Sequence, residues 1–142
     1  MAGFTLVEIL ATVTVIGILA GIVLAAAGGV QKKAARDQAK TEIKTMCVAM
    51  ERYKTDNGAF PREATSKTNV LYGYLTNYMT FRENQISRSG TNVFVVDPYG
   101  RAYYYVSPPT NRSRMVMDGF EIWSLGAKPN ASDSNDDIGS WD

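Results

Sequence analysis

The chain has no histidine, which removes every histidine-based nucleophilic triad and every histidine-ligated metal site from consideration. It has a single cysteine, Cys47, so no intramolecular disulfide can form, and the residue is read as a small buried apolar side chain. There is no glycine-rich phosphate loop either: Gly28-Gly29 sits in an apolar stretch and lacks the Lys-Ser/Thr that a P-loop requires. Internal repeats and low-complexity tracts are also missing. With 15 basic residues against 14 acidic ones, the chain carries no strong field of either sign, and nucleic acid is not an expected partner. No catalytic residue is nominated, and the chain is read as a non-enzyme.

Charge is missing in a more telling place. Among the 27 positions from Phe4 to Val30, Glu8 is the only charged residue, and every basic residue lies beyond Val30, beginning with Lys32, Lys33 and Arg36. As a helix this run rises about 40 Å, against roughly 30 Å of bilayer hydrocarbon, so it is long enough to cross a membrane. A cleaved secretory signal is the competing reading, but such signals have a basic start and only about 7 to 15 apolar residues. An ionised side chain within an apolar segment costs roughly 3 kcal/mol or more unless something pairs with it, so Glu8 points to a partner. Counted naively, the Lys and Arg residues after Val30 would place the C-terminal part in the cytoplasm.

Residues 31–142 have mixed charge and suffice for one small domain. The helical pattern continues into them, because Ile43, Met46, Cys47, Met50 and Tyr53 recur at steps of three or four and make one apolar stripe. Asp56-Asn57-Gly58 with Pro61 shortly after is a helix stop, Gly58 suiting the left-handed cap position. Thr65 to Asn69 reads as a polar loop and Val70 to Leu75 as a short helix. Val93-Phe94-Val95-Val96, Ala102 to Val106, Met115-Val116-Met117 and Phe120 to Trp123 read as strands, with Asp97-Pro98-Tyr99-Gly100 as a turn. The expected fold is α+β: a long N-terminal helix, apolar all round and then one-faced, packed on a small antiparallel sheet. The tyrosines are expected in the core, the alternative being an exposed sugar- or protein-binding patch.

Gly3 followed by Phe4-Thr5-Leu6-Val7-Glu8 and an Ile/Leu/Val/Ala-rich helix resembles the class III signal of type IV pilins and pseudopilins. Tyr53 to Pro61, Asp97-Pro98-Tyr99-Gly100, Trp123-Ser124-Leu125-Gly126-Ala127 and Asp137-Ile138-Gly139-Ser140-Trp141 narrow the resemblance to the major pseudopilins of type II secretion. The resemblance implies a type IV pilin-like fold, cleavage after Gly3 by a prepilin peptidase, and N-methylation of Phe4. It divides the chain into a residual leader, 1–3, a transmembrane and fibre-core helix, 4–30, and a periplasmic domain, 31–142. The native leader is expected to be longer than Met1 to Gly3. It also implies an inner-membrane, single-pass protein that polymerises with itself and with minor pseudopilins on an inner-membrane secretion platform, building a periplasmic fibre that helps export folded proteins. Glu8 would then neutralise the α-amino group of a neighbour's Phe4. A type IV pilin of a surface fibre, and a membrane-anchored binding domain that never polymerises, stay as alternatives.

In that subfamily the loop before the terminal tryptophan binds calcium through carboxylates and main-chain carbonyls, donors that suit a hard cation taking six to eight oxygens. The corresponding candidates are Asp133, Asp136, Asp137 and the Leu125 carbonyl. The position that normally supplies an aspartate ligand is Lys128, so a lysine-stapled loop and a solvated acidic tail stand as alternatives to calcium.

Overall fold

The computed structural model describes residues 3–108, 119–127 and 137–141, with the side chains at 25–28, 64 and 66 outside that description. The described residues divide into two compact units, Met1–Ala34 and Ala35–Asp142.

In the first unit the residues from Leu6 onward are helical and belong to α1, Leu6–Asn57. No proline interrupts it, and the backbone stays helical through Gly28 and Gly29. Its apolar part has a mean hydropathy of 2.6 over an 18-residue window and is not buried. Phe4 is 83% exposed, and the large apolar side chains from Leu6 to Leu24 are exposed on every side of the helix. A helix that is apolar all round needs an apolar surrounding on every face, which one chain does not supply.

In the second unit, α1 buries one face. Ile43, Met46, Cys47 and Met50 are buried, as the stripe predicts, Tyr53 is half-buried, and Ala39 is buried with them. The helix ends at Asn57, and Gly58 with φ 80° donates its N–H to the Lys54 carbonyl at 2.7 Å. That is the left-handed cap expected of this glycine. A short helix α2, Leu71–Leu75, contributes Leu71 and Leu75 to the same core.

A four-stranded antiparallel sheet has the order β1-β4-β5-β6, with β1 at Glu63–Lys67, β4 at Tyr104–Ser107, β5 at Glu121–Ser124 and β6 at Ile138–Gly139. A separate hairpin pairs β2, Ile86–Ser89, with β3, Asn92–Val95, and Ser89 and Asn92 close its two-residue loop. Tyr105, Phe120, Ile122 and Ile138 from the sheet region meet the helix stripe, together with Val95 and Tyr103. The α+β expectation holds, and three of the four expected strands are found as β3, β4 and β5, with their bounds shifted by one or two residues.

Three differences from the sequence reading have physical causes. Glu63–Lys67 is an edge strand rather than a loop. It is polar because an edge needs only one partner, and its register shifts between Glu63↔Ser107 and Lys67↔Tyr105. The strand β2 was not expected, since three of its four residues are exposed and leave no apolar alternation to read. The two-residue β6 is too short to carry a periodicity at all. The strand expected at Met115-Val116-Met117 lies outside the described residues.

Tyrosines are mostly packing residues. Tyr103 and Tyr105 are fully buried, and the Tyr105 hydroxyl donates to the Pro61 carbonyl at 2.7 Å. Tyr53 contacts Tyr74 and Tyr78 at centroid distances of 5.9 and 5.6 Å, while Tyr104 stacks on Trp123 at 5.3 Å. At Gly139, a Cβ would stand 2.3 Å from the Trp141 indole, so only glycine lets that ring lie on β6.

Burial pushes the Cys47 thiol up to about 12, with the Glu51 carboxylate adding to it. Burial also raises the Tyr103, Tyr105 and Tyr74 phenols. A raised folded-state value means that the fold favours the neutral form. The stabilisation is complete below the ordinary thiol and phenol range, about 8.5 to 10, and is lost as pH climbs from there towards the raised folded-state values. We expect near-ultraviolet circular dichroism of the detergent-held chain to stay flat through neutral pH and collapse cooperatively at alkaline pH. In the same native chain Cys47 should react with iodoacetamide at least about a hundred-fold more slowly than in denaturant. Rapid labelling at neutral pH would contradict this packing.

Candidate functional site

Glu8 finds its hydrogen bonds three residues upstream. The backbone N–H and the hydroxyl of Thr5 both donate to Glu8 Oε2 at 3.2 Å, and the Glu8 N–H approaches Thr5 Oγ1 at 3.3 Å and the Thr5 carbonyl at 3.1 Å. This is a reciprocal capping box, Thr-x-x-Glu, at the start of α1. The signal stands in the sequence as Thr5-Leu6-Val7-Glu8, which sequence reading took only for its charge. The box satisfies hydrogen bonds and places a carboxylate at the positive end of the helix dipole. Thr5 carries no charge, so the box does not neutralise Glu8. Gly3 and Phe4 precede the helix, and both are exposed.

At the other end of the chain, the structure joins two strings that the sequence shows far apart. Asp97 is 3% exposed. Its Oδ1 accepts the N–H groups of Tyr99 at 2.9 Å and Arg101 at 2.8 Å. The turn closes with the Gly100 N–H on the Asp97 carbonyl at 2.9 Å and the Asp97 N–H on the Arg101 carbonyl at 2.7 Å. The Ser124 hydroxyl donates to Asp97 Oδ2 and in turn accepts the Gly126 N–H at 3.0 Å. Arg101 completes the clamp, its guanidinium donating to the Gly126 carbonyl and, at 2.9 Å, to the Ala127 carbonyl. One buried carboxylate and one guanidinium thus hold Trp123-Ser124-Leu125-Gly126-Ala127 against the Asp97 turn.

Of the candidate cation ligands, Leu125 and Asp137 are described, whereas Asp133 and Asp136, and Lys128 with them, lie outside the described residues. Strands β5 and β6 pair Trp123 with Gly139 and Ser124 with Ile138, Leu125 directly follows β5, and Asp137 directly precedes β6. The two described candidates therefore stand at the two stems of one loop. The described residues hold no cluster of three or more His, Cys, Asp or Glu side chains.

One polar hub escaped the sequence reading. Glu42, on the buried face of α1 and 7% exposed, accepts the Tyr103 hydroxyl at 2.8 Å on Oε2. Its Oε1 takes Gln38 Nε2 at 2.9 Å and Arg82 at 3.3 Å. It stands next to Ile43 in the stripe, where sequence reading assigns a charged residue to solvent. Its local partner Gln38 carries no charge, and the other two, Tyr103 and Arg82, come from elsewhere in the chain. A second carboxylate, Glu63, is held below the usual carboxylate range, chiefly by its bond to Lys67.

Comparison with known proteins bears on both ends of the chain. The family described as "Type II secretion system (T2SS), protein G" matches residues 27–141. The chain is 33% identical to the type II secretion system core protein G of Pseudomonas aeruginosa, over 99% of this chain and 95% of that protein. It is 30% identical to the protein of the same name from Vibrio cholerae, over 98% and 90%, and 28% identical to that of Escherichia coli K12, over the same shares.

The Asp97 clamp yields a graded expectation. Asp97→Ala leaves two backbone N–H groups and the Ser124 hydroxyl without their buried acceptor, which should lower the stability of the full chain in detergent by about 2 to 4 kcal/mol. Asp97→Asn keeps one carbonyl oxygen for the turn and should lose about half as much. Urea unfolding followed by tryptophan fluorescence, with Trp123 beside the clamp, measures both. Equal losses, or none, would contradict the clamp.

Proposed function

The chain belongs to the type II secretion system protein G family, whose members are pseudopilin subunits and not enzymes, and from that membership we propose that it polymerises through α1 into a periplasmic fibre that helps export folded proteins. The observation that carries the proposal is the apolar, unburied stretch from Phe4 to Leu24. Such a surface is satisfied by lipid while the subunit is held in the inner membrane, and by the same helices of neighbouring subunits once it is assembled. Cleavage after Gly3 and N-methylation of Phe4 would create the α-amino group that the Glu8 carboxylate meets across the subunit interface. Minor pseudopilins, the prepilin peptidase and the inner-membrane platform are the partners this requires.

In this reading Glu8 has two roles, as the cap of its own helix and as a counter-ion for a neighbour. Two variants separate them. Glu8→Gln keeps a side-chain oxygen for Thr5 and removes the charge; Glu8→Ala removes both. If charge pairing sets the axial register, both variants enter the membrane with Phe4 at the mature N-terminus by mass spectrometry, and both yield fibres reduced by about ten-fold or more. Normal fibres from Glu8→Gln would leave only the cap, and an unprocessed N-terminus in the unaltered chain would remove the amine from the scheme.

We extend the proposal to calcium at the 125–137 loop. The Leu125 carbonyl, just after β5, and the carboxylate of Asp137, just before β6, are oxygen donors of the kind a hard cation takes, and Asp133 and Asp136 would complete the set. Bound calcium would tie the loop to the sheet. Lys128, a cation within the same loop, would compete for the same carboxylates. Calorimetric titration of the full chain should show calcium binding, tightened by Lys128→Asp. If neither chain binds at millimolar calcium, the loop is held without metal.

A further inference from the structure

The helix stop at Asn57-Gly58 is also a reactive pair. Of the asparagines in the chain, only Asn57 is followed by glycine, the residue whose missing side chain leaves its backbone nitrogen least hindered. Both residues are exposed, so water and hydroxide reach them. The reaction open to such a pair is deamidation. The Gly58 nitrogen gives up its hydrogen and attacks Asn57 Cγ; a carbon–nitrogen bond forms, the bond from Cγ to Nδ2 breaks, and that nitrogen leaves as ammonia. Water then opens the succinimide ring at one carbonyl or the other, leaving aspartate or isoaspartate.

In the fold, each group this step needs is already engaged. The Gly58 N–H, whose hydrogen has to be removed, is donated to the Lys54 carbonyl at 2.7 Å. The Asn57 Nδ2, which has to swing before Cγ can meet that nitrogen, donates to the Tyr53 carbonyl and to the Tyr78 hydroxyl, both at 2.9 Å. An amide nitrogen has two hydrogens to give, and both are used. Asn57 is the last residue of α1, so ring closure also requires it to leave its helical backbone.

We propose that Asn57 is a modification site gated by the end of α1: it stays an amide while Gly58 caps the helix and Tyr78 holds Nδ2, and it deamidates when that end frays. Helix ends open more readily than cores, so local opening sets the rate rather than unfolding of the whole unit. The change does not reverse. Aspartate offers the Tyr53 carbonyl no donor and adds a second carboxylate beside Asp56 at the negative end of the helix. Isoaspartate lengthens the main chain just before the cap, upstream of the Pro61 carbonyl that takes the buried Tyr105 hydroxyl.

The test incubates the full chain in detergent at mildly alkaline pH, below the phenol range, and follows Asn57 by peptide mass spectrometry, with isoaspartate counted by isoaspartyl methyltransferase labelling. In urea the chain should convert at least about ten-fold faster than in its native state. Tyr78→Phe keeps the ring against Tyr53 but removes the hydroxyl, and should speed conversion of the native chain by about two- to ten-fold. Tyr74→Phe, which loses a hydroxyl bonded to Glu63 in the same aromatic cluster, should leave the rate unchanged. Equal rates in the native chain and in urea, or an Asn57 that survives in both, would overturn the gated site. An acceleration by Tyr78→Phe that is absent, or matched by Tyr74→Phe, would overturn the hold by Tyr78.

Discussion

The second unit depends on the contact between one face of α1 and the sheet side of the core. Ile43, Met46 and Met50 are buried from the helix, and Tyr105, Ile122 and Ile138 are buried from the strands. Burying a side chain of that size contributes about 1.5 to 3 kcal/mol, and a sheet of four short strands has few other ways to bury its inner face. Tyr105 shows how tightly this face is constrained. The ring is fully buried, so its hydroxyl must be satisfied inside, and it is, by the Pro61 carbonyl just past the helix cap. The position where α1 stops, at Gly58, therefore also sets where that carbonyl is available.

Apolar packing of this kind does not specify loop positions, and two buried carboxylates supply what is missing. Glu42 ties the helix to Tyr103 and Arg82, and Asp97 ties its own turn to Ser124, with Arg101 reaching over to the Gly126 and Ala127 carbonyls. A buried carboxylate is tolerated only when its oxygens are filled, and each of these meets three donors. In exchange, chain segments separated by 25 to 61 residues are held in register. The Asp97 network, with Arg101, positions Ser124 at the end of β5 and Gly126 and Ala127, which follow it out of the sheet.

The long helix, its stripe and its stop were legible because each rests on local rules of spacing, capping and glycine conformation. The Asp97 turn was legible too, from Asp-Pro-Tyr-Gly, although its bond to Ser124 was not. Edge strand β1 and hairpin strand β2 were hidden because exposed residues carry no alternation, and Glu42 was hidden because its neutralising partners are distant in sequence. At the candidate site, Glu8 is conspicuous as the one charge in an apolar run, and within the chain its hydrogen bonds come from Thr5. The helix cap is spelled out in the sequence as Thr5-Leu6-Val7-Glu8, a local signal independent of the charge.

The two readings of Glu8 differ in energy as well as in geometry. A capping box contributes about 1 kcal/mol and works equally well at a water-exposed helix end. It explains why a glutamate suits the third position after Thr5, but not why the charge persists when Gln would cap as well. Keeping an ionised group next to lipid or within a bundle of apolar helices costs roughly 3 kcal/mol or more, so the cap alone does not offset the charge. The shortfall is what a neighbour's ammonium would supply, and the geometry allows it. With both Thr5 donors directed at Oε2, the second carboxylate oxygen takes no part in the box, so a partner can approach Oε1 without undoing the cap. On that account the cap holds the carboxylate in one orientation before assembly, which lowers the entropy lost when the intermolecular pair forms.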